Sequence, residues 1–111
     1  MSLDERKFRI ADNETRFREI NETLQRGLSQ LPDDPRPVAF ICECGKRTCE
    51  SSVHVTVQEY ESVRANPRHF VIVIGHEFPE AERVIGRNDR FAVVEKHPEV
   101  AAIVEKRDPR S

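Results

Sequence analysis

The sequence has little of what several common functional classes require. It contains four glycines, too few to supply a glycine-rich phosphate loop or a dinucleotide-binding fingerprint, and neither motif occurs. It also has no Ser-His-Asp pattern typical of hydrolases. The longest apolar run, Phe70 to Ile74, is far too short to cross a bilayer. Residues 1–9 are charged and precede no apolar stretch, which argues against a secretory signal peptide. We therefore expect a cytoplasmic protein that has no membrane partner.

The chain also lacks an excess of one charge sign. It has 20 acidic and 18 basic side chains, for a net charge of −2. Acids and bases stay balanced on both sides of Pro37, with 8 acids and 7 bases before it and 12 acids and 11 bases from it onward. A basic arm or an acidic tail would break this balance. The charge therefore does not support a nucleic-acid partner, and we expect the partner to be another protein.

The length and the apolar content predict one small folded domain. With 111 residues, the chain has room for a single core. Charged residues make up 34% of it and its mean hydropathy is −0.65, but the apolar residues gather in short runs, as they do in folded domains. A core this small would gain considerably from a bound metal ion. We interpret residues 1–111 as one domain.

The first predicted element is an amphipathic helix. Asp12 is a suitable N-cap for a helix that ends near Leu28. An apolar stripe with helical spacing runs along it, formed by Phe17, Ile20, Leu24, Leu28 and Leu31. We expect this stripe to cover a sheet, because tertiary packing stabilises most helices. The alternative is a dimer seam, since Ile10, Phe17, Leu24 and Leu31 recur every seven residues. The protein is accordingly expected to be a monomer or a dimer.

The rest of the chain predicts an α+β domain. A proline-rich connector over 32–37 follows the first helix. The elements after it are, in chain order, strands over 38–41 and 53–57, a helix over 57–65, a strand over 70–74, a hairpin with strands over 83–85 and 90–96, and a short helix over 98–105. Thr56 and Glu59 fit a capping box at the start of the middle helix. The all-apolar strand over 70–74 is expected to be central. We predict a small mixed or antiparallel sheet of four to five strands, with the sheet and a metal-binding loop within 38–96.

The segment Cys42-Glu-Cys-Gly-Lys-Arg-Thr-Cys49 is the clearest functional signal. Thiolates are preferred ligands of zinc, and a tetrahedral site needs several donors at one point. Cys42 and Cys44 are two residues apart and can face the same side, while Gly45 lets the chain return with Cys49. Neighbouring cations favour thiolates over thiols. Three core cysteines are the alternative, but the charged residues between them make this segment too polar for a core.

The fourth ligand is less clear from sequence. His76 is the first choice, because it directly follows an apolar strand and Gly75, where a side chain can turn toward a neighbouring loop. The alternative for His76 is a loop histidine bonded to a nearby carboxylate. His54, five residues after Cys49, is the second choice. His69 and His97 lie near Pro67 and Pro98 in predicted turns and are expected to be solvated. An acidic ligand such as Glu43 or Glu50, or a water molecule, also remains open.

Four motifs resemble a family of short, uncharacterised bacterial proteins, common in actinobacteria. These are Phe40-Ile-Cys-Glu-Cys-Gly with Cys49, Thr56-Val-Gln-Glu-Tyr-Glu-Ser-Val-Arg, Gly75-His-Glu-Phe-Pro-Glu and Arg90-Phe-Ala-Val-Val-Glu-Lys. The family has proline before the Gly-His pair, where this chain has Ile74. The resemblance implies that Cys42, Cys44, Cys49 and His76 form one site, and it implies no activity.

Three functions are compatible with such a site. The first is a small zinc-binding module, with a structural Cys3His site, that has a protein-interaction or regulatory role. The second is a thiol-based redox or metal sensor, in which cysteine oxidation releases zinc. The third is a zinc-dependent hydrolase with Glu77 as the general base. Thiolate-rich sites favour structural roles, so we expect no catalytic residue and consider an enzyme the weaker interpretation.

Overall fold

The predicted α+β class is confirmed in the computed structural model, which describes residues 3–28 and 35–110. The elements are, in chain order, α1 (Leu3–Leu28), β1 (Val38–Ile41), β2 (Ser52–Val55), α2 (Val57–Arg64), β3 (His69–Ile72), β4 (Glu82–Arg87), β5 (Ala92–Lys96) and α3 (Pro98–Lys106). The capping box is present, since Thr56 and Glu59 exchange side-chain and backbone hydrogen bonds at the start of α2. Pro98 opens α3 as predicted.

The five strands form two antiparallel sheets. β1 pairs with β2, and β5 lies between β3 and β4 in the second sheet. The prediction that the apolar strand near Phe70 is central was wrong, because β5 holds that position. β3 is nevertheless covered on both faces. Phe70 and Ile72 pack in one apolar cluster with Val94 and Val104, whereas Val71 packs in another cluster with Phe40 and Tyr60. This two-sided burial explains why the β3 segment lacks polar alternation.

The predicted hairpin exists, but its turn lies later than expected. β4 continues to Arg87 through an irregularity between Val84 and Gly86. The turn covers 88–91, where the N–H of Asn88 donates to the carbonyl oxygen of Phe91. The Asn88 side chain accepts from the N–H groups of Arg90 and Phe91. Asparagine therefore determines the turn position, and Gly86 lies within the strand.

Helix α1 begins nine residues before the predicted start. No proline or glycine interrupts the segment from Leu3 to Asp12, and its residues are mostly good helix formers. Ile10 and Ala11 are buried against the rest of the protein, so this first part is stabilised by packing. Asp12 is therefore not an N-cap. It lies within α1 and forms ion pairs with Arg16 and Arg107.

The orientation predicted for α1 was wrong. Ile20 and Leu24 of the apolar stripe are 50% and 40% exposed, Phe17 is half-buried, and Leu28 packs against an apolar cluster. Leu31 lies outside the described residues. The heptad pattern is not one continuous exposed seam either, because Ile10 is buried. The buried face of α1 is instead mostly polar, and its buried polar residues are Glu14, Thr15, Arg18, Asn21 and Glu22.

The charged groups on the buried face of α1 have hydrogen-bond and ion-pair partners, which offset part of the cost of burying them. Arg18 donates to the carbonyl oxygens of Pro67 and Val104 and lies over the ring of Phe70. Glu22 accepts from Arg64. Glu14 pairs with Lys96, which is fully buried. These bonds explain how a helix can place charged residues inward and leave apolar residues exposed.

Of the predicted connector over 32–37, the described part is 35–37, and it is exposed; residues 32–34 lie outside the described residues. None of the described helices is long and apolar enough to cross a membrane.

Candidate metal centre

The backbone that carries Cys42 and Cys44 lies between two neighbouring strands. The N–H of Cys42 donates to the carbonyl oxygen of Ser51 at 2.9 Å, beyond the end of the β1–β2 ladder. The next N–H, of Glu43, donates to the carbonyl oxygen of Val71 in β3 at 2.8 Å. Alternate backbone groups thus bond to opposite sides, as in an extended chain. Because alternate side chains share a face, Cys42 and Cys44 both pack into the cluster that contains Phe70.

Glu43 occupies the opposite face and is fully buried. Its carboxylate accepts from Asn21 Nδ2 at 2.9 Å, the N–H of Val71 at 3.1 Å and Tyr60 Oη at 3.3 Å. Burial raises the pKa of this carboxyl group, and the donors from Asn21 and Val71 act in the opposite direction. The sequence argument that this whole segment is too polar for a core therefore fails at Glu43. Glu43 is also not a metal ligand, because it points away from the cysteines.

Glycine is required at position 45 because a larger side chain would clash with α1, and not because of its backbone angles. A Cβ atom at this position would lie 2.4 Å from Cγ2 of Ile10 in α1, a distance that real Cβ atoms do not tolerate. Asn13 Nδ2 donates to the carbonyl oxygen of Gly45 at 2.8 Å and holds the loop on the helix. The chain then turns back, since the N–H of Cys49 donates to the carbonyl oxygen of Lys46. This turn returns Cys49 to the other two cysteines.

His76 reaches the same point from the loop after β3. Gly75 has a φ of +92°, a left-handed conformation that favours glycine. The N–H of His76 donates to the carbonyl oxygen of Val73 at 3.0 Å, closing the turn. The ring atom Nδ1 then lies 3.6 Å from Cys42 Sγ and 3.8 Å from Cys49 Sγ. A strand, a left-handed glycine and a tight turn thus place this histidine.

The four predicted ligands form one group that can hold a metal ion. The donor atoms of Cys42, Cys44, Cys49 and His76 all lie within 4.8 Å of one another. In a tetrahedral zinc site with Zn–S about 2.3 Å and Zn–N about 2.0–2.1 Å, sulfur and nitrogen are about 3.6 Å apart and two sulfurs about 3.8 Å. The two distances from His76 Nδ1 match the first of these values within 0.2 Å. Side chains that merely share a core would not need this convergence.

Hydrogen bonds within the group shift the pKa values of two of its thiols in opposite directions. The pKa of Cys44 is lowered to about 5, chiefly because it is hydrogen-bonded to Cys42, while burial acts in the opposite direction. The pKa of Cys42 is raised by the same hydrogen bond and by burial. The N–H of Val73 also donates to Cys42 Sγ, at 3.2 Å. A bound metal would displace the protons from these sulfurs, and this N–H would then stabilise the Cys42 thiolate.

The alternative ligands lie elsewhere. His54 is exposed on β2. His69 lies in β3 rather than in a turn, and its Nε2 is 2.9 Å from Glu95 Oε2. His97 precedes α3, and its Nε2 is 2.9 Å from the carbonyl oxygen of Pro79. Glu50 is exposed and does not belong to the group of converging donor atoms.

A cleft of about 250 Å³ opens beside the group, lined by Cys44, Lys46, Gly75, His76, Glu77 and Phe78. Two of the four donor residues therefore border the cleft. Cys42, like Cys44, is 1% exposed and packs in the apolar cluster that contains Phe70, but it does not line the cleft. The site thus has one enclosed side and one side that small molecules can reach.

Sequence analysis missed the residues that position the site, chiefly Asn13, Asn21 and Glu43. One signal was present: Asn13 and Asn21 are eight residues apart, which places them near one side of a helix. This spacing alone does not assign the two residues a role, because the sequence does not show that the helix faces the cysteine segment. Comparison of the chain with family models, curated proteins and solved structures found no match.

Proposed function

We propose that the protein is a small zinc-binding module whose Cys3His site is structural and which acts by binding another protein. The observation that carries the zinc assignment is the convergence of four donor atoms within 4.8 Å. Three sulfurs and one imidazole nitrogen are a ligand set that zinc prefers. The two sulfur–nitrogen distances, 3.6 and 3.8 Å, fit a tetrahedral zinc ion. Calcium and magnesium prefer oxygen ligands, which these four side chains do not supply.

A structural role follows from the number and origin of the ligands. Four protein donors complete a tetrahedron, whereas catalytic zinc keeps one position for water. The three cysteines lie in segment 42–49, and His76 lies in segment 73–78 after β3. A metal ion between them would join the end of β1 to the loop after β3. In a domain of 111 residues, such a link would contribute substantially to stability.

The interaction role rests on the apolar residues that α1 leaves at the surface. Ile20 and Leu24 lie one turn apart and are 50% and 40% exposed. Apolar side chains on one helix face are typical of protein-binding surfaces. A double variant, Ile20→Lys with Leu24→Lys, should reduce association while leaving zinc content unchanged. Sedimentation velocity of both proteins tests self-association, and affinity capture tests other partners. An identical set of assemblies for both proteins would contradict this surface.

The zinc assignment is tested by elemental analysis of the protein purified without added metal. We expect one zinc per chain in the wild type and a marked loss in His76→Ala. His54→Ala is the matched control, because His54 is exposed on β2 and should retain full zinc. Full zinc in the His76 variant would remove this residue from the site. A metal-free wild type that also fails to take up added zinc would refute the proposal.

A second candidate function is zinc-dependent hydrolysis. The observation that favours it is the position of Glu77, which borders the same cleft as Cys44 and His76 and is a suitable general base. Hydrolysis would require a ligand to leave the metal so that water can bind. X-ray absorption spectroscopy of the zinc protein distinguishes the two functions. Three sulfur ligands and one nitrogen favour the structural role, whereas an oxygen ligand favours hydrolysis.

A further inference from the structure

The three cysteines of the site differ in their access to solvent. Cys42 and Cys44 are each 1% exposed, whereas Cys49 is partly exposed. Cys44 nevertheless borders the cleft of about 250 Å³, together with Lys46 and His76. Cys42 and Cys44 both pack in the apolar cluster that contains Phe70, but Cys42 does not line the cleft. A small reagent from solvent can therefore reach Cys49 directly and Cys44 through the cleft, but not Cys42.

The size and the charge of this entrance suit a small polar oxidant. One water molecule occupies about 30 Å³ in the liquid, so a cleft of about 250 Å³ admits a molecule of the size of hydrogen peroxide. Lys46 and Arg47 are exposed in the turn between Cys44 and Cys49. A cysteine that binds zinc does so as its thiolate, the form that reacts with peroxides. Access from solvent and a reactive form of sulfur thus coincide at Cys44 and Cys49.

The geometry also favours one disulfide. Cys44 is in hydrogen-bond contact with both Cys42 and Cys49, and the turn between Cys44 and Cys49 is closed by the N–H of Cys49, which donates to the carbonyl oxygen of Lys46. Cys42 and Cys44 belong to an extended segment, in which residues two apart have Cα atoms about 6.6–7 Å from each other. Disulfides require Cα distances of about 4.4–6.8 Å. A Cys42–Cys44 bridge would therefore lie at or beyond the upper limit of this range.

We propose that Cys49 and Cys44 are a peroxide-oxidised pair whose disulfide releases the metal ion. Resting on the proposed zinc site, this inference identifies how that site is regulated. The Cys49 thiolate attacks the hydroperoxide, the O–O bond breaks, and Cys49 becomes a sulfenic acid while water leaves. The Cys44 thiolate then attacks the Cys49 sulfur, the S–S bond forms and a second water leaves. Two thiolates, one hydrogen peroxide and two protons give one disulfide and two waters.

The consequence for the metal follows from the ligand count. A disulfide between Cys44 and Cys49 removes two thiolate ligands, because disulfide sulfurs no longer carry the negative charge that binds zinc. Cys42 and His76 remain, and two donors do not complete a tetrahedral site. The zinc ion leaves, and the segments 42–49 and 73–78 lose their common ligand. Reduction of the disulfide restores the four donors.

The test begins with zinc-loaded wild-type protein whose metal content has been measured. Hydrogen peroxide is added at one equivalent per chain, and released zinc is followed with a colorimetric chelator. We expect about one zinc per chain to be released, and the reduced protein to take zinc up again after dithiothreitol treatment. The same chelator without peroxide is the control. A zinc-loaded protein that retains its zinc at one equivalent of peroxide overturns the inference but leaves the structural zinc site intact.

The sequence provides a direct assay for the disulfide. Trypsin cleaves after Lys46 and Arg47, so Cys44 falls in peptide 27–46 and Cys49 in peptide 48–64. The expected bridge joins these two peptides into one species, and fragmentation assigns the bridge to Cys44 or Cys42. A Cys42–Cys44 bridge stays within a single peptide. Finding that single-peptide bridge, or a bridge from Cys49 to Cys42, overturns the assignment.

A variant that keeps a zinc ligand but removes the attacked sulfur provides a second test. Cys49→His gives a Cys2His2 ligand set, which also binds zinc. We expect this variant to retain zinc and to release it much more slowly with peroxide than the wild type. Release at the wild-type rate would show that Cys49 is not the sulfur attacked. If the variant does not hold zinc, the peptide assay on the wild type still decides.

Discussion

Glu43 and Val71 are joined by two reciprocal hydrogen bonds. The N–H of Glu43 donates to the carbonyl oxygen of Val71 at 2.8 Å, and Glu43 Oε1 accepts from the N–H of Val71 at 3.1 Å. One bond uses the backbone of Glu43 and the other its buried side chain. Because Cys42 and Cys44 flank Glu43, and β3 leads to His76, this pair holds the two halves of the candidate metal centre together.

This relationship predicts that Glu43 positions the site without binding metal. Replacing it with alanine should destabilise the protein by about 1–3 kcal/mol, because buried donors lose their acceptor. Zinc affinity should fall about 10–100-fold, the range seen when groups that orient metal ligands are removed. Urea unfolding and zinc titration against a competing chelator measure the two effects. Glu50→Ala is the control, since Glu50 is exposed. Equal zinc affinities for the two variants would contradict the positioning role.

Cys44→Ser tests the contribution of the metal to folding. We expect loss of zinc and a markedly lower melting temperature, since structural zinc supplies on the order of 10 kcal/mol in small metal-folded peptides. Differential scanning calorimetry with and without a chelator measures this. The wild type should lose stability on chelation, and the variant should be insensitive to the chelator. An unchanged melting curve for the variant would contradict a structural metal.

Gly45 and Gly27 form a matched pair for the packing of the metal loop. A Cβ at Gly45 would lie 2.4 Å from Cγ2 of Ile10, whereas a Cβ at Gly27 would have no neighbour within 4 Å. We expect Gly45→Ala to destabilise the protein by about 1–3 kcal/mol through overpacking. Gly27→Ala should be neutral or stabilise α1 by up to about 1 kcal/mol. Thermal unfolding compares the variants, and equal stabilities would show that the loop does not pack on α1 this closely.

The buried group of Glu14, Lys96 and Glu82 predicts that part of the free energy of unfolding is lost as the pH rises. Both carboxylates contact the one ammonium group, and burial, with Glu82 nearby, raises the pKa of Glu14 well above its usual value. The folded protein therefore binds a proton on Glu14 at pH values where the unfolded chain, with a pKa of about 4.3, has released it. Stability that is present below the unfolded pKa is lost as the pH rises through the folded pKa.

Glu14→Gln removes this titration, and its amide oxygen can still accept from Lys96. We expect the unfolding free energies of variant and wild type to be similar near pH 4 and the variant to become progressively more stable at higher pH. Urea unfolding of both proteins across pH 4 to 8 measures this difference. Both proteins have the same metal site, so the effect of acid on that site cancels in the difference. Glu19→Gln, at an exposed position of α1, is the control. A difference that does not change with pH would contradict the prediction.

Local sequence signals predicted much of the fold. The capping box of Thr56 and Glu59, the proline that opens α3 and the short apolar strands all act within a few residues. Prediction failed where partners distant in the sequence determine which side of a helix is buried. The apolar stripe of α1 indicated an inward face at Ile20 and Leu24, but Arg18 and Glu22 are inside because Pro67, Val104 and Arg64 provide their hydrogen-bond and ion-pair partners. Those partners are more than 40 residues away and cannot be identified from helical spacing.

The sequence by itself determined three donors of the candidate site and left the fourth open. Three cysteines within eight residues constrain the ligand chemistry, because thiolates narrow the choice of metal before any fold is known. Only the tertiary structure decided that His76, rather than His54, meets these sulfurs, and that Glu43 turns away to hold β3. The physical reason is that ligand type is a property of each side chain, whereas convergence within 4.8 Å depends on how separate segments pack.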